Sequence, residues 1–191
     1  MLTDQLEEKT KRSHQLLEGK INPKIKAIQT PEDYSQVLIL FYTYFGGLEL
    51  LIDKYIDLVV LPDYSIRRKT ASLALDLHAL NTPLPMVADM PSLPVVENNL
   101  QALGALYVLE RSTLGGSFIS KMIGDKLVFT DASRLGFFNG YGSPTAGMWA
   151  SFRQALDALV LQPGDADTIL TAANDTFLLF CEWVDGNNGI E

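Results

Sequence analysis

One cysteine and two histidines occur in 191 residues, and these scarcities remove several chemistries at once. A lone thiol, Cys181, has no internal partner, so no disulfide framework exists. It sits in the apolar run TFLLFCEWV, where it reads as a small buried hydrophobe in a reducing compartment. No histidine lies near it in sequence to serve as the base of a nucleophilic thiol. The Cys/His spacings of a zinc site are missing. A di-iron carboxylate bundle needs Glu-x-x-His pairs, and neither His14 nor His78 has an acidic residue three positions before it. Phosphate-cradling loops of the GxxxxGK(S/T) or GxGxxG form are absent, as is a G-x-S-x-G elbow.

Basic excess is lacking too. A formal net charge of −8 and a pI near 4.7 argue against nucleic acid or an anionic membrane as the main partner. A basic electron donor suits that surface better. The longest apolar stretch, Val37 to Leu48, is broken by Glu49 and Asp53 and falls short of the ~20 residues a spanning helix requires. The N-terminus is charged from Asp4 onward and lacks the apolar core of a secretion signal. A cytoplasmic protein is expected. No β-branched alternating run appears, and no repeat, low-complexity tract or linker divides the chain. With 47% hydrophobic residues it has enough apolar material for a core that also encloses a small-molecule pocket. The expectation is an all-α, single-domain multihelical bundle over residues 1–191.

Helix signals follow one another along the chain. Thr3 is positioned to cap a first helix, with Asp4, Glu7 and Glu8 in its opening turns and Gly19 and Pro23 closing it. Leu2, Leu6, Thr10, Ser13 and Leu17 form its inward stripe, with His14 on the flank and Lys11 projecting on the same side. Thr30-Pro31 starts a second helix, expected to reach about Val60 with a bend at Gly46-Gly47. A third is predicted from Ser65 or Ile66 through Leu80, and the proline-rich segment 81–94 is a loop. A long helix is expected from Glu97 to about Lys126. The glycine- and aromatic-rich segment from Asp131 to Gly142 has room for one short turn. Ser143-Pro144 marks a helix to about Leu161, Asp165 or Asp167 caps the last one to about Asp185, and the GNNGIE tail should be loose.

The stretch LGALYVLERSTLGGSFISKMIG, Leu103 to Gly124, organises the rest. A glycine in a helix interior costs ~0.5–1 kcal/mol relative to alanine, so the pair Gly115-Gly116 needs a reason. At about 100° per residue, Gly104, Val108, Arg111, Ser112, Gly115 and Ile119 share one face, mostly small in cross-section with one large cation. Two readings are open on spacing alone. The face either packs closely on another helix or kinks, or it lies against a flat ligand. His14 is likewise either an ordinary half-buried histidine or a ligand.

The run GALYVLERSTLGG resembles the distal-helix signature of bacterial haem oxygenases, whose usual form carries Gly where Arg111 stands. KTKRSHQLLE resembles the first helix of that family, in which a histidine ligates haem iron. MWASFRQALDAL and ANDTFLLFCEWV are weaker echoes in the same order, so the likeness spans nearly the whole chain. The resemblance implies a multihelical fold with haem held between the first helix and a glycine-containing distal helix. It implies oxidative cleavage of haem to biliverdin, carbon monoxide and ferrous iron, with O2 activated on the iron and attacking a meso carbon of the ring, and with electrons from a separate reductase or ferredoxin.

On this likeness His14 is the iron ligand, Gly115 and Gly116 admit the ring and bound O2, and Ser112 joins a water network. Haem carries two propionates, and Lys11 and Arg153 match basic positions that would meet them, although a solvated role suits Lys11 equally. Tyr107 and Phe177 match pocket-wall positions, where aromatics are also ordinary core. Arg111 departs from the pattern. It either fills the distal pocket or turns outward to Glu110, Ser112 or a propionate. That departure keeps two rivals to the enzyme in play, a haem carrier that leaves the ring closed and a haem-free helical interaction or sensory domain.

Overall fold

The computed structural model describes residues 1–67, 69–129 and 132–187, and among these every regular element is helical. The elements are α1 (Leu2–Ala27), α2 (Pro31–Tyr55), α3 (Ala71–Ala79), α4 (Asn99–Arg111), α5 (Gly116–Leu127), α6 (Gly136–Asn139), α7 (Thr145–Asp157) and α8 (Asp165–Gly186), with 3-10 turns at Tyr64–Ile66 and Ala132–Arg134. The all-α expectation holds. Of the tail expected to be loose, residues 188–191 lie outside the described residues, as does Asp131 in the glycine- and aromatic-rich segment.

Capping chemistry places α2 as its sequence demands. Thr30 accepts from the Asp33 N–H at 3.1 Å, Asp33 returns the bond to the Thr30 N–H at 2.9 Å, and Pro31 occupies the first turn. Among the described residues α2 is the one helix long and apolar enough to cross a membrane, yet 67% of its most apolar window is buried inside the fold. It is a core helix. Its glycine pair does not interrupt it. A Cβ at Gly47 would sit on the Ala88 carbonyl oxygen, and one at Gly46 would press on Val87, so the pair lets the 81–94 loop lie directly on the helix. The Ala88 N–H donates to the Thr43 carbonyl there at 2.9 Å.

Several boundaries differ from expectation, each for a local reason. α1 begins at Leu2, because Thr3 is buried and donates from both its N–H (2.9 Å) and its hydroxyl (2.7 Å) to Asp157 of α7 rather than capping. α1 also continues through Gly19 and Pro23 to Ala27, since Ile21 and Ile25 bury on either side of the proline and outweigh one lost backbone bond. α2 stops at Tyr55, short of Val60. The Ser65–Leu80 segment divides into a 3-10 turn and the shorter α3, and α7 ends at Asp157 instead of Leu161. Gly164, at φ +94°, precedes α8, so Asp165 is its first residue rather than its cap.

The expected single helix from Glu97 to Lys126 is two helices joined by a corner at residues 112–115. The hydroxyls of Ser112 and Thr113 donate to the Leu109 and Glu110 carbonyls, each at 2.7 Å, which closes α4. Both α1 and α4 pack along α8, the most extensive helix contacts in the fold. Gly104 lets α4 approach α8, since a Cβ there would meet the Ile169 carbonyl oxygen.

Candidate functional site

A cavity of about 370 Å³ opens between α1 and the α4–α5 corner. One wall is the α1 stripe of His14, Leu17, Ile21 and Ile25, and the other is Val108, Ser112, Gly115 and Ile119. Aromatic rings form the floor. Phe41 and Phe45 come from α2, Phe137 and Phe138 from α6, and Phe177 and Phe180 from α8. Phe41 is the hub of this cluster, with ring centroids 5.3 Å from both Phe137 and Phe180. The polar residues Glu18, Asn22 and Arg111 also line the space, and the first two are exposed.

α6 is only four residues long and needs outside help to hold its two floor rings. Asp76 of α3, 1% exposed, supplies it by accepting from the Gly136 N–H at 2.9 Å and the Phe137 N–H at 2.8 Å. Burial pushes the Asp76 carboxyl up to about 6 in spite of those two bonds. Glu110, adjacent in sequence to the corner, is anchored in the other direction. It is buried with Arg67 at 3.0 Å and accepts the Tyr141 hydroxyl at 2.7 Å. Arg67 is also paired with Asp63 at 2.8 Å and lies over the Phe152 ring.

His14 carries the one imidazole that lines the cavity among the described residues. Its side chain is 29% exposed, its ring centroid lies 5.3 Å from that of Phe177 in a T-shaped arrangement, and Nε2 lies 3.7 Å from Glu18 Oε1. Burial lowers its pKa, the Glu18 carboxylate opposes that shift, and the Arg111 charge reinforces it. A neutral imidazole at pH 7 follows. Phe177 and Ser112 line the cavity beside it, with the Ser112 hydroxyl turned to the Leu109 carbonyl.

The two central glycines part company. A Cβ at Gly115 would meet nothing within 4 Å, and this residue lines the cavity. A Cβ at Gly116 would overlap the Phe138 carbonyl oxygen. Gly116 is therefore a packing glycine that seats α6 beneath the corner, and it does not line the cavity. The face packs closely at Gly104 and is open at Gly115, while Gly116, off that face, packs on α6.

Lys11, Tyr107 and Arg153 lie outside the apolar space, whereas Arg111 stands at its border. Lys11 and Tyr107 line an adjoining polar trough. Tyr107 is buried against Trp149, with centroids 5.7 Å apart, and burial raises its pKa. Arg153 donates to the Thr3 hydroxyl at 3.3 Å and to Asp4 at 3.4 Å, and so ties α7 to the start of α1. Arg111 turns neither to Glu110 nor to Ser112. It pairs with Glu7 of α1 at 3.2 Å and lies 5.9 Å from the Trp149 ring centre. The α2 and α6 rings of the floor and Asp76 behind them are not among the residues singled out from the sequence. Their signal was the aromatic richness of FYTYFGG and GFFNG, which carries no spacing of its own.

A neutral imidazole in one wall, a side-chain-free backbone in the other and an aromatic floor fit a flat, apolar ligand with a coordinating metal. The sequence profile of the family described as heme oxygenase matches residues 1–186. No curated protein sequence matches the chain. Among solved structures, the heme oxygenase from Leptospira interrogans is similar with a TM-score of 0.77 at 19% identity, over 97% of this chain and 98% of that one. The Synechocystis heme oxygenase-1, solved in complex with heme, gives 0.74 at 20% identity, covering 98% and 92%. The Synechocystis heme oxygenase-2, solved with heme and NO, gives 0.74 at 20% identity, covering 97% and 84%.

Proposed function

The chain belongs to the haem oxygenase family, and from that premise we propose that it binds haem between α1 and the α4–α5 corner and opens the ring to biliverdin, carbon monoxide and ferrous iron. O2 and electrons from a separate reductase or ferredoxin complete the reaction. The observation that carries this reading is the half-buried His14 in the wall of an aromatic-floored cavity whose other wall includes Gly115.

Haem supplies the iron and the carbon that is oxidised. The chain supplies position and surroundings. His14 offers a neutral nitrogen to the metal, and the Phe177 edge limits the rotation of its imidazole. Gly115 leaves room for a diatomic ligand and the ring face where a larger side chain would intrude. Phe41, Phe137, Phe138 and Phe180 exclude bulk water from the ring edge. The Arg111 guanidinium is drawn toward Glu7 and Trp149 at the border of the cavity, which would leave the cavity centre free for the ring.

A haem titration followed by absorbance tests the reading. The protein should give a Soret band with a histidine-ligated ferric spectrum, His14→Ala should lose that signature, and added imidazole should restore part of it. An unchanged spectrum in His14→Ala would contradict the assignment. A complex stable under reductant and O2 would indicate carriage, and no Soret band at all would indicate a haem-free domain.

A further inference from the structure

Arg111 sits where two spaces meet. It lines the apolar cavity on one side and, on the other, the polar trough that also contains Lys11, Glu7, Glu18 and Tyr107. The Arg111 side chain is 25% exposed, and among the described residues its hydrogen bonding consists of one 3.2 Å bond to Glu7, a side chain itself 58% exposed. A guanidinium carries five donors in a planar fork suited to a carboxylate. One long bond to an exposed surface carboxylate leaves most of that capacity unused.

The trough presents four carboxylates, Asp4, Glu7, Glu8 and Glu18, against the two cations Lys11 and Arg111. Its field therefore opposes an anionic ligand. Only a cation in direct contact with a ligand carboxylate offsets that repulsion, and Arg111 is the one that also borders the apolar space. Glu7 is then a stand-in for the ligand's own carboxylate.

We propose that Arg111 is a carboxylate receptor at the mouth of the cavity, held by Glu7 in the free chain and transferred to a ring carboxylate of the bound macrocycle. The inference rests on the haem-binding reading above and adds the residue that selects a porphyrin carrying free acid groups. The Trp149 ring supports the guanidinium plane in both states. Because Glu7 competes for the same donors, removing its charge strengthens ligand binding, whereas removing the Arg111 charge weakens it.

The experiment compares ferric protoporphyrin IX with its dimethyl ester, each titrated by absorbance into the parent protein, Arg111→Gln, Arg111→Lys and Glu7→Gln. For the diacid, Arg111→Gln should raise Kd by about tenfold or more, Arg111→Lys should recover part of that loss, and Glu7→Gln should lower Kd. For the diester all four proteins should agree within about twofold. Equal losses for diacid and diester, or no loss for either, would overturn the proposal, as would weaker diacid binding by Glu7→Gln. Urea midpoints measured on all four proteins separate misfolding from lost recognition. If neither porphyrin gives a His14-dependent Soret band, the haem-binding reading fails first. A His14-dependent band indifferent to Arg111 defeats the receptor alone.

Discussion

Replacing each glycine of the Gly115-Gly116 pair separately should divide packing from ligand binding. At Gly116 even a methyl group overlaps the Phe138 backbone oxygen, which cannot rotate away as a side chain would. The corner and α6 must therefore separate by roughly an ångström. Overpacking of that kind costs ~1–3 kcal/mol, from which the better helix propensity of alanine returns ~0.5–1 kcal/mol. Gly116→Ala should thus lower stability by roughly 1–2 kcal/mol, read from urea unfolding of the haem-free protein. At Gly115 the backbone is right-handed, with φ −90° and ψ −10°, and a Cβ added there would find no atom within 4 Å. Gly115→Ala should change stability by no more than about 0.5 kcal/mol, because no contact is disturbed. Gly115→Leu places a branched side chain in the cavity and should weaken haem binding by about tenfold or more, with the urea midpoint nearly unchanged. The reasoning is refuted if Gly116→Ala is as stable as the parent, or if Gly115→Leu binds haem as the parent does.

Asp76 should make stability fall as pH rises. Its folded pKa of about 6 exceeds its ordinary 3.8, so the folded state binds more protons between those values and loses that advantage as pH climbs through them. The span corresponds to roughly 2–3 kcal/mol; a comparison of urea midpoints at pH 4.5 and 7 should show this component in the parent and not in Asp76→Asn. Equal pH slopes in the two proteins would argue against it. Arg67→Ala removes the buried guanidinium that pairs with both Glu110 and Asp63 and should cost about 3–5 kcal/mol. The double variant Arg67→Ala with Glu110→Gln should lose less than the sum, measured as a thermodynamic cycle.

Much of the fold was legible because its signals are local. Thr30-Pro31 announced α2 through side-chain capping alone, and the α1 stripe of Leu6, Thr10, Ser13 and Leu17 buried as its periodicity required. What escaped depends on partners distant in sequence. Thr3 binds Asp157 of α7 instead of capping, Pro23 is carried through by the burial of Ile21 and Ile25, and Gly46-Gly47 serve the 81–94 loop. The site shows the same division. Spacing put Arg111, Ser112 and Gly115 on one face, yet only the arrangement of α6 and α8 assigns Gly104 and Gly116 to packing and Gly115 to the cavity. Arg153 matched a motif position, and its contacts with Thr3 and Asp4 depend on the packing of α7 against α1, which spacing does not show.

Single-turnover oxidation decides whether the chain opens the ring of the haem it binds. The ferric haem complex is assembled, separated from free haem, and given a reductant and O2 with catalase present, while absorbance and the released gas are followed. The Soret band should decay with formation of one equivalent each of biliverdin and carbon monoxide, a reaction lost in His14→Ala. A Soret band that persists through reduction and oxygenation, or bleaching without biliverdin, would contradict it.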